Sequence, residues 1–354
     1  MIVNPSARRH PAGGGEGGEL APRDDVGAIL VIRYSALGDV VLATSVLDPL
    51  RERFPRARIE WVTDALFAPL LDGLPQLAAV HAIRREGLGE VMQLRARLRR
   101  RFDVCLDLQN KVRSALVARA AAPRRLVFRR RSTGRALLTL VGSDPPLARA
   151  HATALYAEAL GPLGIERPGP LHVSLSARAR RLAEDALGRV RPPIVAIAPG
   201  ARWATKRWPA DRFAAVADAL AADGASVVLA GGPSDHDAFV AFAALARAPV
   251  AADLSPLPLD ALAAALARVK LLVTCDSGPV HLATAVGTPA LALFGPTSTV
   301  RWGPPAPGRA LSLGLGCSPC SNHGGDFCPE GHHRCLDDLG ADRVIAAARE
   351  MLRG

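Results

Sequence analysis

The sequence contains few aromatic residues: they make up 4% of its 354 positions and include only two tyrosines and four tryptophans. Proteins that bind single-stranded nucleic acids usually stack the bases on aromatic side chains, and the sequence carries no recognised nucleic-acid-binding module. We therefore expect no nucleic-acid partner. The net charge of +11 still favours an anionic partner, such as a nucleotide or a phosphorylated lipid.

Long apolar runs are also missing from the chain. No run reaches the roughly 18 residues that a membrane-spanning helix requires, and the first 26 residues lack the apolar centre of a secretion signal. We therefore expect a cytoplasmic protein. A glycine-rich tract at residues 13–18, with no periodic apolar pattern around it, predicts a disordered tail over residues 1–26.

Six cysteines in a cytoplasmic chain of this length do not predict a disulfide framework. Four of them lie close together near the C-terminus, among three histidines; the cluster comprises Cys317, Cys320, Cys328, Cys335, His323, His332 and His333. These residue types suit tetrahedral zinc, but their spacing matches no common zinc finger. Thiols packed in a compact loop are the preferred interpretation, so we predict no metal and assign no catalysis to the cluster.

The positive charge is concentrated in one stretch of the chain. Between Arg84 and Arg135 there are sixteen lysine or arginine residues and four acidic residues, so the rest of the protein is about neutral. Such a stretch forms either a solvated basic face or a surface for an anionic partner.

Apolar strand-like runs alternate with helix-like segments from residue 28 onwards. This alternation predicts an α/β protein with parallel sheets, and the first long helix is expected over residues 39–53. The length favours two domains. A stretch rich in proline and glycine, between Pro162 and Pro193, indicates the junction, and we place the domains at residues 27–170 and 171–354.

Ligands of parallel sheets bind beyond the carboxyl ends of the strands, where helix N-termini present unpaired amides and partial positive charge. The first such loop runs from Ser35 to Asp39, and Asp39 either caps the next helix or projects a carboxylate into the cleft. The second loop contains Thr205 and Lys206, which could donate a hydrogen bond and a positive charge to a diphosphate. A solvated basic loop is the alternative.

Two further loops of this kind occur in the C-terminal half. Asp235 follows two glycines and either caps its helix, the preferred interpretation, or accepts hydrogen bonds from a ribose. Asp276 follows a buried strand, and Ser277 and Gly278 expose their amides at the start of the next helix, where Pro279 is favourable. The Asp276 carboxylate would suit sugar hydroxyls beside a phosphate, although a plain helix cap explains it equally well.

Taken together, these segments resemble glycosyltransferase family 9, the lipopolysaccharide heptosyltransferases, over residues 28–350. The resemblance is carried by Ile29 to Asp39, Lys206-Arg207-Trp208-Pro209, Gly231-Gly232-Pro233, Asp276 to Ala283, Gly287-Thr288-Pro289 and Phe294-Gly295-Pro296-Thr297. It implies a GT-B fold, in which two Rossmann-like domains with parallel sheets face each other across a cleft. The acceptor would then bind the N-terminal domain and the donor the C-terminal domain, and the final helix could pack back on the N-terminal domain.

The resemblance also implies an inverting, metal-independent transfer of heptose from ADP-heptose to the lipopolysaccharide inner core (Kdo-lipid A), without a cofactor. Asp39 matches the base that deprotonates the acceptor hydroxyl, and Lys206 matches the lysine that stabilises the leaving diphosphate. We expect the donor to contact Thr205, Lys206, Asp235, Asp276, Ser277, Gly278 and His281, and the acceptor to contact Ser35, Gly38, Asn110, Lys111 and Arg113.

An acceptor that is a phosphorylated lipid would explain the basic stretch, which would hold a monomeric enzyme on the cytoplasmic surface of the inner membrane. A solvated basic face without function is the alternative. Overall similarity slightly favours transfer of the second heptose over the first. Two other functions stay open: a family 9 transferase that uses another nucleotide sugar, and a nucleotide-sugar-binding protein without turnover.

Overall fold

The computed structural model describes residues 26–84, 88–128 and 150–354. Except for residue 26, the predicted tail lies outside the described residues, as do residues 85–87 and 129–135 of the basic stretch. None of the helices in the described ranges is long and apolar enough to cross a membrane.

The N-terminal domain is built on a parallel sheet of five strands in the order β3-β2-β1-β4-β5. Its strands are β1 (Ala28–Ile32), β2 (Arg58–Asp64), β3 (Ala79–Ile83), β4 (Val104–Asp107) and β5 (Arg124–Val127). Its helices are α1 (Leu37–Ala43), α2 (Leu47–Arg53), α3 (Leu88–Arg97), α4 (Val112–Ala121) and α5 (Ala152–Glu158). The central strand β1 is apolar along its length because helices cover both faces of the sheet.

The helix predicted over residues 39–53 is divided into α1 and α2 by a 3₁₀ turn at Thr44–Val46. The hydroxyl of Thr44 donates to the carbonyl oxygen of Val41 at 2.6 Å, and that of Ser45 donates to the carbonyl oxygen of Leu42 at 2.7 Å. Such side-chain bonds compete with the regular backbone pattern of a helix. The apolar periodicity of the segment did not reveal this interruption.

The C-terminal domain has a parallel sheet of six strands in the order β11-β10-β9-β6-β7-β8, which is the Rossmann strand order. Its strands are β6 (Ile194–Ala198), β7 (Ser226–Leu229), β8 (Val250–Asp253), β9 (Leu271–Cys275), β10 (Ala290–Leu293) and β11 (Arg309–Leu311). Its helices are α6 (Ala177–Leu187), α7 (Ala210–Ala222), α8 (His236–Ala243), α9 (Leu259–Leu266), α10 (Gly278–Ala285), α11 (Thr299–Trp302), α12 (Arg334–Asp337) and α13 (Ala341–Arg353). The predicted pair of α/β domains is confirmed, and the chain has the GT-B architecture.

The final helix α13 packs within the C-terminal domain, so the expectation that it returns to the N-terminal domain is wrong. Val344 and Ala347 on its apolar face are buried in the same core as Phe213 of α7. The guanidinium Nε of Arg349 lies 2.7 Å from a carboxylate oxygen of Asp223, directly after α7. The amphipathic pattern of α13 requires an apolar surface, and α7 supplies one that is nearby in space.

The two domains meet where α1 contacts α10. Gly38 of α1 lies against the His281 imidazole, and a Cβ atom at position 38 would stand 2.6 Å from His281 Cδ2. Gly278 lies against Leu37 in the same way, since its Cβ would stand 2.7 Å from Leu37 Cδ2. The first turns of both helices therefore approach each other at positions without side chains.

We expect Gly38→Ala to lower the free energy of unfolding by about 1–3 kcal/mol, because the added methyl group overpacks the interface against a stiff ring. Gly89→Ala is the matched control: Gly89 is also the second residue of its helix, and a Cβ there would meet nothing within 4 Å. That control should be neutral or stabilise by up to about 1 kcal/mol. Urea denaturation measures both, and equal midpoints would show that α1 and α10 do not touch in solution.

Candidate active site

Asp39 lies in the first turn of α1, beyond the carboxyl end of β1, and its carboxylate is bound by two side chains of the N-terminal domain. The guanidinium Nη2 of Arg33 lies 2.6 Å from Oδ2, and the hydroxyl of Tyr156 donates to Oδ1 at 3.0 Å. The amide of Ala36 donates to Oδ2 at 3.4 Å, so Asp39 also caps its helix weakly. Both roles considered for Asp39 are thus present.

The Asp39 side chain is held as a carboxylate. Burial alone would raise its pKa, but the opposing effects of Arg33, His323 and the Tyr156 hydrogen bond are larger together, and the pKa lies below its ordinary value. The group is therefore ionised at neutral pH and can accept a proton.

Arg33 keeps its charge although it is buried. Burial would lower the pKa of its guanidinium, but Tyr156, Asp39 and Asp107 favour the charged form, and the pKa lies above its ordinary value. Its Nη1 donates to the carbonyl oxygen of Leu108 at 2.5 Å, and its guanidinium carbon lies 5.6 Å from the ring centre of Tyr156. Arg33 is a fixed counter-ion for Asp39.

The donor-side residues Lys206 and Asp276 meet, as the sequence predicted for one site. The ammonium of Lys206 lies 2.6 Å from Oδ2 of Asp276, and the hydroxyl of Thr297 donates to the same oxygen at 2.5 Å. Asp276 is 4% exposed, and the three loops that carry these residues follow β6, β9 and β10. Thr297 stands within a segment that carried the family resemblance, but no role was predicted for it.

Thr205 and Asp235 have partners within the protein. The Thr205 hydroxyl donates its one hydrogen to the carbonyl oxygen of Gly325 at 2.8 Å and accepts from the Gly325 amide at 2.9 Å. Oδ2 of Asp235 accepts from the amide of Gly232 at 2.9 Å, and the carboxylate fills the space beside Gly200. Asp235 therefore caps its turn, which was the preferred interpretation, and Thr205 fastens the segment around Gly325.

The remaining donor-side residues belong to the start of α10. The Ser277 hydroxyl lies 3.2 Å from that of Thr274, and Gly278 and His281 face the N-terminal domain. His281 is buried, and this burial lowers the pKa of its imidazole to about 4, against smaller opposing effects of Asp276 and Asp39. The ring is therefore neutral at physiological pH and does not add a positive charge for a diphosphate.

The acceptor-side residues lie along the carboxyl edge of β1 and β4, which are neighbours in the sheet. The amide of Ser35 donates to Oε1 of Gln109 at 3.4 Å. Asn110 has a left-handed backbone with φ of 45° and donates to the carbonyl oxygen of Phe128 at 3.0 Å. Lys111 and Arg113 are exposed at the start of α4. The structure brings these residues to the edge that also carries Asp39.

The cysteine cluster does not form a metal site among residues 26–84, 88–128 and 150–354, where no group of three or more suitable side chains converges. All of its thiols are free, and the Sγ atom of Cys317 lies 3.9 Å from Nε2 of His332. Burial, together with the neighbouring thiols, raises the pKa of Cys335 to about 11. This thiol is therefore protonated and packs as an apolar group.

Several residues around Asp39 were not predicted from the sequence. A small pocket brings Asp39 together with Arg33, Phe128, Ala152, Tyr156, Arg301, Trp302 and His323. Of these, only Arg33 had a local signal, as the first polar side chain after β1. The others come from distant segments, and His323 belongs to the cysteine cluster, to which no role in the site had been assigned.

A larger cavity of about 740 Å³ lies between the domains beside His281. Leu42 and Leu171 line it from one side, and Thr284, Val300 and Pro304 line it from the other. The imidazole of His151 bonds to the carbonyl oxygen of Gly303 at 3.2 Å across the domain boundary.

Comparisons with known proteins agree with this geometry. Residues 91–327 match the model of glycosyltransferase family 9 (heptosyltransferase). The chain is similar to lipopolysaccharide heptosyltransferase 2 of Escherichia coli (strain K12), with 30% identity over 344 residues that cover 92% of this chain and 98% of the relative.

Two solved structures have a similar fold. That of E. coli ADP-heptose lipopolysaccharide heptosyltransferase II gives a TM-score of 0.73 at 29% identity and covers 92% of this chain and 98% of that one. A glycosyltransferase of family 9 from Veillonella parvula DSM 2008 gives a TM-score of 0.76 at 24% identity, covering 94% and 99%.

The neutral, buried state of His281 should make stability depend on pH. The pKa of the group is about 4 in the folded protein, below the ordinary 6.5. Between these pH values the unfolded chain binds the proton and the folded protein does not. The free energy of unfolding therefore falls by up to about 1.4 kcal/mol for each pH unit as the pH is lowered. We expect His281→Gln to remove this slope in urea denaturation from pH 7 to pH 4, and the exposed control His332→Gln to keep it. An unchanged slope in His281→Gln would contradict the assignment.

Proposed function

The chain belongs to glycosyltransferase family 9, and we propose that it transfers heptose from ADP-heptose to the inner core of lipopolysaccharide. The observation that carries this proposal is the approach of α1 to α10, which brings the His281 ring of the C-terminal domain against Gly38, the sequence neighbour of Asp39. The His281 imidazole is close enough to Asp39, Asp276 and Lys206 for their charges to act on its pKa. In this proposal, the base of one domain and the diphosphate-binding cation of the other act in one site.

In the proposed reaction, Asp39 accepts the proton of an acceptor hydroxyl as the oxygen of that hydroxyl attacks the anomeric carbon of the heptose. The bond between this carbon and the diphosphate breaks, and the leaving ADP takes the electron pair. Lys206 neutralises the charge that develops on the diphosphate. Attack opposite to the leaving group inverts the anomeric centre, and none of these steps requires a metal.

The donor and the acceptor are proposed from the relatives. The relative in E. coli is lipopolysaccharide heptosyltransferase 2, and the name of the solved structure includes ADP-heptose. Since these relatives match nearly end to end, we propose ADP-heptose as the donor, Kdo-lipid A bearing the first heptose as the acceptor, and transfer of the second heptose as the reaction.

We place the enzyme at the cytoplasmic surface of the inner membrane, as a monomer. The described part of the basic stretch supports this placement, because most of its cations are exposed: Arg84, Arg95, Arg97, Arg99, Arg100, Arg101, Lys111, Arg113 and Arg119. Anionic headgroups attract such a surface with about 1 kcal/mol for each lysine or arginine near the membrane.

Asp39→Asn should reduce heptose transfer by about 100-fold or more, because a general base contributes at least this factor. The affinity for ADP should change less than about twofold, since the residue belongs to the other domain. Asp72→Asn, which alters an exposed carboxylate of the same domain, is the control. Mass spectrometry of the purified acceptor measures the product. Transfer at the wild-type rate by a folded Asp39→Asn variant would remove Asp39 from the mechanism.

The same assay, run with a panel of ADP- and UDP-linked sugars, separates the proposal from its alternatives. Transfer from another nucleotide sugar alone would indicate a different donor. Tight binding of ADP-heptose without product over hours would indicate a binding protein without turnover.

Lys206→Ala should reduce kcat by about 100-fold, because it removes the cation that stabilises the leaving group. The control is Lys270→Ala, an exposed lysine of the same domain, which should retain the wild-type rate. Quench-flow measurement of ADP release follows the step directly. If both variants release ADP at the wild-type rate, another group stabilises the diphosphate.

A further inference from the structure

The middle of the cysteine cluster forms a tight turn, residues 321–325, which presents His323. The hydroxyl of Ser321 accepts from the amides of His323 and Gly324, at 3.3 and 3.0 Å. The turn is also fixed from outside: the amide of Ser321 donates to the carbonyl oxygen of Pro296 at 2.8 Å, and Nε1 of Trp302 donates to that of Asn322 at 3.1 Å. His323 is therefore carried on a turn with a defined shape.

One end of this turn is fastened to the loop that carries Lys206. Gly325 exchanges hydrogen bonds with Thr205 through its amide and its carbonyl oxygen, at 2.9 and 2.8 Å. Gly324 has a φ of +87° and lies so close to Lys206 that a Cβ would stand 3.0 Å from Cγ of the lysine. The Lys206 loop and the turn are therefore held together at Gly324 and Gly325.

The turn also reaches the pocket of the base, across the domain boundary. His323 lines the small pocket that contains Asp39, and its ring lies 5.8 Å from the ring centre of Trp302, tilted by 46°. The positive charge of Arg33 lowers the pKa of Asp39, and that of His323 lowers it further.

From these contacts we infer that His323 is a positioning residue for Asp39, supplied by the donor domain, and that the turn at residues 321–325 couples the Lys206 loop to the base. The inference rests on the proposed role of Asp39. It adds a residue from the C-terminal domain to the acceptor side of the reaction. The orientation and the pKa of the Asp39 carboxylate would then depend on the loop expected to hold the donor diphosphate.

Several charged or titratable groups face Asp39, and His323 differs from the others because its turn is hydrogen-bonded to the loop that carries Lys206. Arg33 after β1 and Tyr156 of α5 belong to the same domain as Asp39. Arg301 of α11 lines the pocket, and the neutral imidazole of His281 in α10 lies near enough for the charge of Asp39 to act on its pKa. Of these groups, His323 alone is borne by the turn that exchanges hydrogen bonds with Thr205.

The test uses the full chain with His323→Gln, and with His332→Gln as control, an exposed histidine of the same segment. His323→Gln should lower kcat about tenfold, because loss of orientation at a reacting group costs factors of this size or more. The acidic limb of kcat/KM should move to higher pH, since a positive charge that stabilised the Asp39 carboxylate is gone. The affinity for ADP should stay as in wild type.

A second readout does not need turnover. A titration of the Asp39 carboxyl by carbon-13 NMR should show a higher pKa in His323→Gln than in wild type and in His332→Gln. Thr205→Val keeps the shape of the side chain, loses the two side-chain hydrogen bonds to Gly325 and retains the bond from its own amide to the carbonyl oxygen of Gly325. Because this loosens the link to the turn, it should raise the pKa of Asp39 in the same direction by a smaller amount.

The outcomes separate this inference from the proposed function. An unchanged carboxyl titration in a folded His323→Gln variant overturns the inference, whichever sugar the enzyme transfers. If wild type transfers no sugar, the proposed function fails. The titration still shows whether His323 acts on the Asp39 carboxylate. A shift in His323→Gln without one in Thr205→Val would keep the positioning role and overturn the coupling.

Discussion

The contact between α1 and α10 sets how closely the two domains approach, and it depends on two glycines. Because Gly38 and Gly278 have no side chains, the first turns of the two helices touch through Leu37 and His281. Each helix starts at the carboxyl edge of its own sheet, so both edges converge on one point. The positive ends of two helix dipoles therefore point into the same site, where anionic groups are favoured.

Charge balance at this point is achieved within each domain. Arg33 neutralises Asp39 in the N-terminal domain, and Lys206 neutralises Asp276 in the C-terminal domain. An unpaired charge at a buried interface would cost several kcal/mol, and this local pairing leaves neither Asp39 nor Asp276 as an uncompensated charge where the domains meet. The buried His281, near both pairs, is neutral and adds no charge of its own.

The sequence predicted those parts of the site that depend on local signals. Lys206 and Asp276 each lie between a strand and a helix, and Asp39 lies in the first turn of a helix that follows a strand. The order of strands and helices places each of them at the carboxyl edge of its own sheet. Tyr156 had no such signal: it is separated from Asp39 by 117 residues, and only the packing of α5 on α1 brings the hydroxyl to the carboxylate. The same holds for His323, whose neighbours in sequence suggested a metal or a packed loop.

Thr205 illustrates how a loop position predicts the location of a side chain without predicting its partners within the protein. Its position in a loop after β6 favoured a bond to a phosphate, and the loop does lie beside Asp276. The hydroxyl, however, exchanges two hydrogen bonds with Gly325, a residue 120 positions further along the chain. No pattern within the loop could show that another segment bonds to this hydroxyl.

The cysteine cluster obtains its shape from its two ends. Cys335 and Leu336 are buried in the core of the C-terminal domain, where they pack against Gly295, and the hydroxyl of Ser318 bonds to the carbonyl oxygen of Gly295. Both ends are thus anchored next to the loop after β10. The residues between them must leave the domain surface and return to it, and the hydrogen bonds to Thr205 and Trp302 determine where they do so. This route carries His323 to the pocket that contains Asp39.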